Sequence, residues 1–410
     1  MKIDNKRHEL VAKRFRECFG SNPSIWARAP GRVDLMGSHT DYNLGIVLTL
    51  PLGYDTWIAA RPREDRNVRL HSANLEADTT FSLDHLVADP CQRWSNYIRG
   101  VASELKAEGF ELQGFDGVIH SIIPMRSGLS SSAALECVTA TVFEALEGWR
   151  LDPVRKAVLC QRAENNFVGV NCGILDQYTS CAGREGCALL LDCRDLTSRP
   201  IKLPARICVV ICDTMSKREL AGSVYGQRRA QCEEVARQLG VKALCELTPL
   251  EFDVRERELP PEAAKRCRFI IEENNRVLKL AEALTTLDRA AIRQLTAASF
   301  RGACELYGIG APAMHAMMKA MLDAPGVIGA RQAGAGFGGC MVAFVEKSAV
   351  DAFATSVREA YRGATRTRPE VYPVEPSDGA GLIHPLADKP VNFDQAAAVA
   401  RPSSVSGNAM

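Results

Sequence analysis

A glycine- and serine-rich loop joins a predicted strand to a long predicted helix in the first half of the chain. The apolar pattern predicts a strand at residues 115–123 and an amphipathic helix at residues 130–146. Backbone N–H groups at the start of such a helix carry partial positive charge, and small loop residues let a phosphate reach them. Serine hydroxyls add donors, and one of them can bind Mg²⁺. The loop therefore indicates either a phosphate-binding site or a plain turn in which Ser130 caps the helix.

A second glycine-rich loop, GAGFGGC, lies at residues 334–340 between predicted strands at residues 327–332 and 339–345. By itself it fits a tight hairpin with glycines at positive φ as well as a phosphate contact. The first loop has neither the GxxxxGKS/T nor the GxGxxG spacing, so those two nucleotide-binding interpretations of it fail. The loops stand about 200 residues apart, and two such loops can converge on one phosphate chain.

The remaining pattern mixes helices and strands. Further helices are predicted at residues 10–19, 96–108, 153–167, 220–239 and 349–362, and further strands at residues 24–36, 187–193, 207–212 and near Tyr372. The region from about residue 220 to about residue 322 is predicted to be mostly helical, with an interruption at Pro260 and Pro261. We expect an N-terminal lobe of residues 1–205, a C-terminal lobe of residues 206–385 and a loosely held tail of residues 386–410.

Charge and composition exclude several classes of protein. The 410 residues include 50 Lys and Arg against 49 Asp and Glu, a net charge of +1, which gives no electrostatic reason to bind nucleic acid or an anionic membrane. No stretch approaches the roughly 18 apolar residues of a membrane span, and the N-terminus has no apolar signal segment. The 15 cysteines are odd in number and form no C-x-x-C pair, so neither a zinc nor a disulfide framework is expected. We expect a cytoplasmic protein.

Two polar segments are candidates for binding and catalysis. Residues 29–43, APGRVDLMGSHTDYN, offer donors and acceptors of the kind that recognise vicinal hydroxyls of a sugar. Asp176, in the apolar run CGILDQ, is a carboxylate that can act on a hydroxyl if an arginine keeps it ionised. Taken separately, the first segment also fits an exposed polar turn, and Asp176 fits a hydrogen-bonded structural acid.

Together these segments resemble the galactokinase family of the GHMP kinase superfamily. Residues 31–42, GRVDLMGSHTDY, resemble the galactokinase signature GRVNLIGEHTDY. Residues 128–134 (GLSSSAA) and 334–340 are similar to the second and third GHMP motifs, and residues 163–177 and 220–233 are similar to two further galactokinase segments. The resemblance covers nearly the whole chain, from about residue 19 to residue 383.

The resemblance implies an α+β, two-lobed GHMP kinase fold with the active site in the cleft between the lobes. It implies transfer of the γ-phosphate of ATP, with Mg²⁺, to the anomeric hydroxyl of galactose or a galactose-like sugar. Asp176 is implied as the catalytic carboxylate, and Arg32 as the group that keeps it ionised and balances charge on the phosphoryl group. The other implied residues are Ser38, His39, Asp41, Gly173 and Tyr225 for the sugar, Trp94, Ser127, Gly128, Leu129, Ser130, Ser131 and Ser132 for ATP, and Ser132 and Glu164 for Mg²⁺.

Ser38 departs from the signature, which has Glu at that position, at the C6 end of the family's galactose site. A Glu would repel a substrate carboxylate by about 4 kcal/mol at about 4 Å and an effective dielectric near 20. Its loss makes galacturonate, another uronic acid or a sugar altered at C5 or C6 an alternative substrate to galactose, as plant galacturonate kinases also have a small residue there. Arg126 replaces a loop glycine, and its role is open. Residues 301–307 also diverge from the family pattern.

Other functions are less compatible with these residues. Some galactokinase relatives are sugar-sensing regulators without catalysis, but these lose residues from the GLSSSAA loop, which is complete here. A mevalonate- or homoserine-kinase function would not carry the sugar signature or the DQ segment. We expect a monomer whose ligands are a small-molecule sugar and ATP, with no nucleic-acid or membrane partner.

Overall fold

The computed structural model describes residues 4–125, 127–216, 221–334 and 336–383, and for residues 221–225 it describes the backbone alone. Within these residues twelve strands are found: β1 Ile25–Met36, β2 Ile46–Pro62, β3 Asn67–Ser72, β4 Ala77–Ser82, β5 Phe115–Ser121, β6 Cys187–Asp192, β7 Thr197–Lys202, β8 Ile207–Asp213, β9 Val327–Gln332, β10 Cys340–Glu346, β11 Glu370–Val374 and β12 Gly381–Leu382.

Eleven α-helices lie in the same described residues: α1 Asn5–Phe19, α2 Asn96–Ala107, α3 Ser131–Glu147, α4 Pro153–Arg162, α5 Leu175–Ala182, α6 Ala221–Gln238, α7 Pro249–Arg255, α8 Pro261–Thr286, α9 Arg289–Glu305, α10 Pro312–Leu322 and α11 Val350–Thr365. A π-helical turn, Ala163–Val168, continues α4. Such turns occur frequently at functional sites, and this one contains Glu164.

The first sheet is built around the long strands β1 and β2. Its strand order is β12-β1-β2-β5-β3-β4, and β6 and β7 extend it from the other end of β2. The pairing of β1 with β2 shifts register between Pro30 and Arg32 and again between Asp34 and Met36. Irregularities of this kind bend a strand and re-aim its side chains. They flank Arg32 and Asp34, two residues of the predicted sugar segment.

The second sheet is antiparallel, with the order β11-β8-β10-β9. One apolar cluster runs from the first sheet through α8 to one face of the second sheet and includes Leu50, Val277 and Phe344, all fully buried. A second cluster, with Met317 and Phe353, fills the space between the other face and helices α10 and α11. Burial of so much apolar surface joins the two sheets through a continuous core.

Most predicted elements are confirmed to within a few residues. Strand β1, helices α2, α3, α6 and α11, and strands β6, β8, β9 and β10 closely match their predicted bounds, and the helix predicted at residues 153–167 is α4 followed by the π-helical turn. Strands β2, β3, β4 and β7 and helix α5 were not predicted. Strand β12 returns the described C-terminal end of the chain to β1 of the first sheet. The predicted tail lies outside the described residues.

The described residues include all 15 cysteines, and each of them is a free thiol. Among the described residues, no helix combines the length and the apolar character that crossing a membrane requires.

Candidate active site

Arg32 and Asp176 form the centre of the candidate site. Arg32 comes from the irregular part of β1, and Asp176 from the first turn of α5. Nε of Arg32 donates to Oδ1 of Asp176 at 2.7 Å, and Nη2 forms an ion pair with the same oxygen. Burial alone would lower the pKa of Arg32, but the Asp176 and Asp34 carboxylates outweigh burial and raise it. The structure therefore brings together the two residues that the sequence predicted as a pair.

The glycine- and serine-rich loop reaches the same pair. Nη1 of Arg32 donates to the carbonyl oxygen of Gly128 at 2.8 Å, and the hydroxyl of Ser130 donates to Oδ2 of Asp176. Ser130 occupies the N-cap position of α3 but lies in the left-handed region, with φ 59° and ψ 50°, and makes no side-chain capping bond to the helix. The plain-turn interpretation of Ser130 is therefore insufficient, because its hydroxyl is committed to Asp176.

The predicted phosphate residues divide into two groups. Gly128 and Ser131 are exposed, whereas Ser127 and Leu129 are only 1% and 2% exposed and the hydroxyl of Ser127 donates to the carbonyl of Pro124. If Ser127 and Leu129 contact a phosphate, we therefore expect them to do so through backbone groups rather than through their buried side chains. Arg126 lies outside the described residues.

The two glycine loops lie next to each other. The thiol of Cys340 donates to the carbonyl oxygen of Ser127 at 3.0 Å. The N–H of Gly339 donates to Oγ1 of Thr214 at 3.0 Å, which attaches the second loop to the end of β8. The predicted meeting of the two loops is thus seen in the fold.

A cavity of about 170 Å³ opens beside the Arg32–Asp176 pair. Its walls come from the sugar segment, the CGILDQ segment and the start of the second glycine loop. The lining residues are Arg32, Asp34, Gly37, Ser38, His39, Asp41, Cys172, Gly173, Leu175, Asp176 and Gly334. Four of the five predicted sugar residues line it, and the side chain of the fifth, Tyr225, lies outside the described residues.

Asp41 and Gly173 meet across this cavity. A methyl group placed on Gly173 would overlap Oδ2 of Asp41, so only glycine lets this carboxylate approach the backbone so closely. Burial raises the pKa of Asp41 to about 6, although the N–H of Tyr42 and nearby Arg32 act in the opposite direction. Asp41 is therefore placed to accept from, or donate to, a hydroxyl in the cavity.

His39 is held by two tyrosines. Nδ1 of His39 lies 2.8 Å from the hydroxyl of Tyr42, which lies 2.8 Å from the hydroxyl of Tyr307. Tyr307 lies just after α9, at the end of residues 301–307, whose letters diverge from the family pattern, and its side chain is fully buried. The C-terminal half of the chain thus orients a predicted sugar residue.

Glu164 and Ser132 lie beside the reactive pair as a possible ion site. They are hydrogen-bonded to each other, and Oε2 of Glu164 also accepts from Nε2 of Gln177 at 2.6 Å. Burial, followed by the nearby Asp176 carboxylate, raises the pKa of Glu164 to about 7. Glu136 is fully buried and accepts from the same Nε2 of Gln177 at 2.9 Å, and burial raises its pKa well above the usual range.

Trp94 lies on a separate cavity of about 200 Å³ that reaches Ser131 and Ser132. Tyr97, Ile119 and Leu135 add apolar and aromatic surface to its wall. A flat base fits such a surface while its phosphates extend toward the serines at the start of α3. Trp94, Ser131 and Ser132 therefore line one cavity, and their role in binding ATP stays a prediction.

Residues that the sequence analysis missed lie behind Ser38. Its hydroxyl donates to Oδ2 of Asp34 at 2.7 Å and accepts from Nη2 of Arg331 at 2.9 Å. Arg331 is fully buried and also pairs with Glu273 at 3.0 Å. Although burial would raise the pKa of Glu273, Arg331 and Arg276 lower it.

The signal for this cluster was present in the sequence. Asp34 stands where the galactokinase signature has Asn, four residues before Ser38, which stands where the signature has Glu. The prediction that the Ser38 change removes a carboxylate from this wall is therefore incomplete, because Asp34 supplies one 2.7 Å from the Ser38 hydroxyl.

Three family models match the chain in sequence order. The galactokinase galactose-binding signature matches residues 13–62, the GHMP kinases N-terminal domain matches residues 96–184, and the GHMP kinases C-terminal model matches residues 280–363. The matches include Arg32, Asp41, Ser132, Glu164 and Asp176.

Curated relatives agree over nearly the whole length. A galactokinase of Roseiflexus sp. (strain RS-1) is 40% identical over 378 residues, which cover 91% of this chain and 96% of the relative. A galactokinase of Chloroflexus aggregans (strain MD-66 / DSM 9485) is 42% identical over 373 residues, which cover 90% and 95%.

Solved structures show the same fold. The structure of Lactococcus lactis galactokinase complexed with galactose superposes with a TM-score of 0.87 at 32% identity, covering 92% of this chain and 100% of that one. Methanococcus jannaschii mevalonate kinase, at 17% identity and a TM-score of 0.61, covers 86% of this chain and 98% of its own, and shares the fold alone. The chain therefore belongs to the galactokinase family of the GHMP kinases.

Proposed function

We propose that this chain transfers the γ-phosphate of ATP to the anomeric hydroxyl of galactose. The observation that carries the proposal is the Arg32–Asp176 pair, which lines the sugar-sized cavity and is hydrogen-bonded to the glycine- and serine-rich loop. The 40% identity to a curated galactokinase and the likeness to a galactokinase complexed with galactose support galactose as the acceptor.

Asp176 is the group that receives or orients the proton of the anomeric hydroxyl. Oδ1 is engaged by Arg32, whereas Oδ2 accepts from the hydroxyl of Ser130 and has a second lone pair that can accept from the substrate hydroxyl. Arg32 stays beside the reacting atoms and offsets negative charge on the phosphoryl group during transfer. Catalysis then consists mainly of positioning the hydroxyl and stabilising charge.

ATP binds with its base on the Trp94 cavity and its phosphates at the start of α3. Mg²⁺ fits Ser132 and Glu164, because Mg²⁺ commonly takes one or two carboxylates and completes its shell with phosphates and water. Within the described residues no group of three or more His, Cys, Asp or Glu could hold a metal without such additional ligands. When bound, Mg²⁺ neutralises charge on the β- and γ-phosphates.

The charges of the cavity favour a neutral sugar over a uronate. Asp34, Asp41 and Asp176 all line the cavity with Arg32 as their cationic neighbour. A substrate carboxylate about 4 Å from one of these acids would be repelled by roughly 4 kcal/mol at an effective dielectric near 20. Galactose is therefore the proposed substrate, and galacturonate is the alternative that the assay must include.

Phosphorylation of a sugar panel tests the proposal. Purified protein with ATP and Mg²⁺ is assayed on galactose, galacturonate, glucuronate, arabinose and N-acetylgalactosamine, with formation of the sugar 1-phosphate as the readout. We expect galactose to give the highest kcat/KM. Binding of galactose without turnover would instead identify a sugar-sensing protein. Preferential turnover of a uronate would overturn the assignment of galactose as the substrate.

Other properties stay predictions made from the sequence. They are the monomeric state, the cytoplasmic location and the lobe boundaries near residues 205 and 385. The complete GLSSSAA loop, with Arg32 and Asp176 in contact, supports an active kinase over a regulator.

A further inference from the structure

We infer that Asp34 and Ser38 act as one specificity-determining pair, which presents only hydrogen-bond acceptors to the sugar and so selects a neutral hydroxyl over a carboxylate. The inference rests on the proposed sugar kinase function and adds the residues that set its substrate class. Both residues line the cavity, and both are nearly buried, at 3% and 4% exposure.

The direction of the hydrogen bonds fixes what this wall can offer. A serine hydroxyl has one proton and two lone pairs. The proton of Ser38 is donated to Oδ2 of Asp34 at 2.7 Å, and one lone pair accepts from Arg331 at 2.9 Å. The lone pair that remains can accept a hydrogen bond from a sugar hydroxyl but has no proton to give to a substrate carboxylate.

Asp34, like Ser38, presents only hydrogen-bond acceptors to the cavity. Its Oδ1 accepts from the N–H of Gly334 at 2.6 Å, while its Oδ2 accepts from Ser38. A carboxylate holds about four acceptor positions, so acceptor capacity remains on both oxygens. The contact with Gly334 also attaches this wall to the second glycine-rich loop. Asp34 is therefore hydrogen-bonded both to Ser38 in the sugar segment and to the loop that is similar to the third GHMP motif.

Arg331 supports the wall from behind and is balanced by the protein's own acids. Among the described residues its Nη1 has no hydrogen-bond partner, although it lies 3.7 Å from Oδ2 of Asp34, and its Nη2 lies 3.0 Å from Oε1 of Glu273. Removing either acid would leave a buried cation short of a partner, which is strongly unfavourable. Arg331 therefore does not require a substrate carboxylate.

The pairing gives one physical account of both differences from the signature, at positions 34 and 38. Glu at position 38 beside Asp34 would place two carboxylates next to one another behind the same cavity. Asn at position 34 with Glu at position 38, as in the signature, has one carboxylate, and Asp34 with Ser38 also has one. The second arrangement moves the acid four residues back along the chain, into β1, and leaves more space at position 38.

Four variants test the pair: Asp34→Asn, Ser38→Glu, the double variant, and Ser299→Ala as a matched control. Ser299 contacts Arg331 and Glu273 on the side away from the cavity, with Nε of Arg331 at 3.0 Å and Oε1 of Glu273 at 2.7 Å. The readout is the ratio of kcat/KM for galacturonate to that for galactose, with thermal unfolding to establish folding.

We expect Asp34→Asn to raise that ratio at least tenfold, because an amide donor enters the wall and the Ser38 proton is released. Ser299→Ala should lower stability and leave the ratio within about twofold of the wild type. Ser38→Glu should lose at least tenfold in galactose kcat/KM or fail to fold, and the double variant should recover most of that loss.

The outcomes separate the two proposals. If the wild type phosphorylates none of the sugars, the proposed function fails. If the wild type phosphorylates galactose but Asp34→Asn changes the ratio no more than Ser299→Ala does, the specificity pair is wrong. Should Asp34→Asn not fold, the comparison of Ser38→Glu with the double variant decides, because equal activity and stability of those two would also overturn the pair.

Discussion

The hydroxyl of Ser130 donates to Oδ2 of Asp176, while Arg32 donates to Oδ1 of the same carboxylate. The first residue before α3 is thereby hydrogen-bonded to the first turn of α5. Since α3 begins at the proposed phosphate-binding loop, we expect ligand binding at that loop to affect the orientation of the Asp176 carboxylate. Ser130 takes a left-handed backbone conformation to make this contact, with φ 59°.

Two substitutions of Ser130 distinguish the effect of its hydrogen bond to Asp176 from the energetic cost of its left-handed backbone conformation. Ser130→Ala and Ser130→Gly both remove the bond to Asp176, and we expect each to lower kcat about tenfold, the effect of one hydrogen bond to a charged group. Only Gly relieves the left-handed conformation, so Ser130→Gly should be more stable than Ser130→Ala by about 1 kcal/mol. Urea unfolding and steady-state kinetics measure the two effects. Wild-type kcat in both variants would show that the bond does not position Asp176.

Removing the charge of Asp176 tests its catalytic role. Asp176→Asn keeps the shape of the side chain but cannot take the hydroxyl proton, so we expect kcat to fall by about 10²- to 10⁴-fold. Calorimetry should still detect binding of galactose to this variant, because most of the cavity wall is unchanged. Asp351→Asn, an exposed change in the first turn of α11, is the control. Near-normal turnover in Asp176→Asn would refute the assignment.

Helix α11, strand β2 and helix α5 show what the local sequence pattern can and cannot predict. Helix α11 has the alternation of buried and exposed residues that defines an amphipathic helix, and its predicted bounds were nearly right. Strand β2 is buried on both faces over long stretches, so it lacks the two-residue alternation of a strand. Helix α5 has 8 residues, six of them buried, and its letters show no helical face. These elements form because of the tertiary contacts around them.

Site prediction had a similar limit. Arg32 and Asp176 could be paired from the motifs, and the structure confirms their contact. The Asp34–Ser38–Arg331 cluster joins the start of the chain to β9, and only the folded chain shows that contact. The replacement of Asn by Asp at position 34 was readable, but its meaning depends on the 2.7 Å distance to Ser38. Charge changes in a motif need to be considered together when the fold brings the two side chains into contact.

Glu164 gives the apo protein a defined pH dependence of stability. Burial raises its pKa to about 7 in the folded state, against about 4.3 in the unfolded chain. Between these pH values the folded protein binds more protons than the unfolded chain. The stabilisation that Glu164 contributes is therefore fully present below about pH 4.3 and is lost as pH rises through 7. From pH 5 to pH 8 we expect Glu164→Gln to lose less unfolding free energy than the wild type, by a difference on the order of 3 kcal/mol.

Urea unfolding of both proteins at the two pH values, without ATP or Mg²⁺, measures that difference. An identical pH dependence in the two proteins would show that Glu164 does not titrate in this range. The same ionisation should favour Mg²⁺, a hard cation that binds carboxylate oxygen, so the KM for Mg·ATP should fall as pH rises through 7.

Gly173 tests the close approach of Asp41 to the cavity wall. A methyl group at this position would overlap Oδ2 of Asp41, so Gly173→Ala must displace the carboxylate, the backbone or both. We expect the KM for galactose to rise at least tenfold and the KM for ATP to change little, because the Trp94 cavity does not include Gly173 among the residues that line it. Gly363→Ala in α11 meets open space and is the control, expected to keep wild-type kinetics and to gain about 0.5–1 kcal/mol in stability. An unchanged galactose KM in Gly173→Ala would mean that Asp41 does not need its present position to bind the sugar.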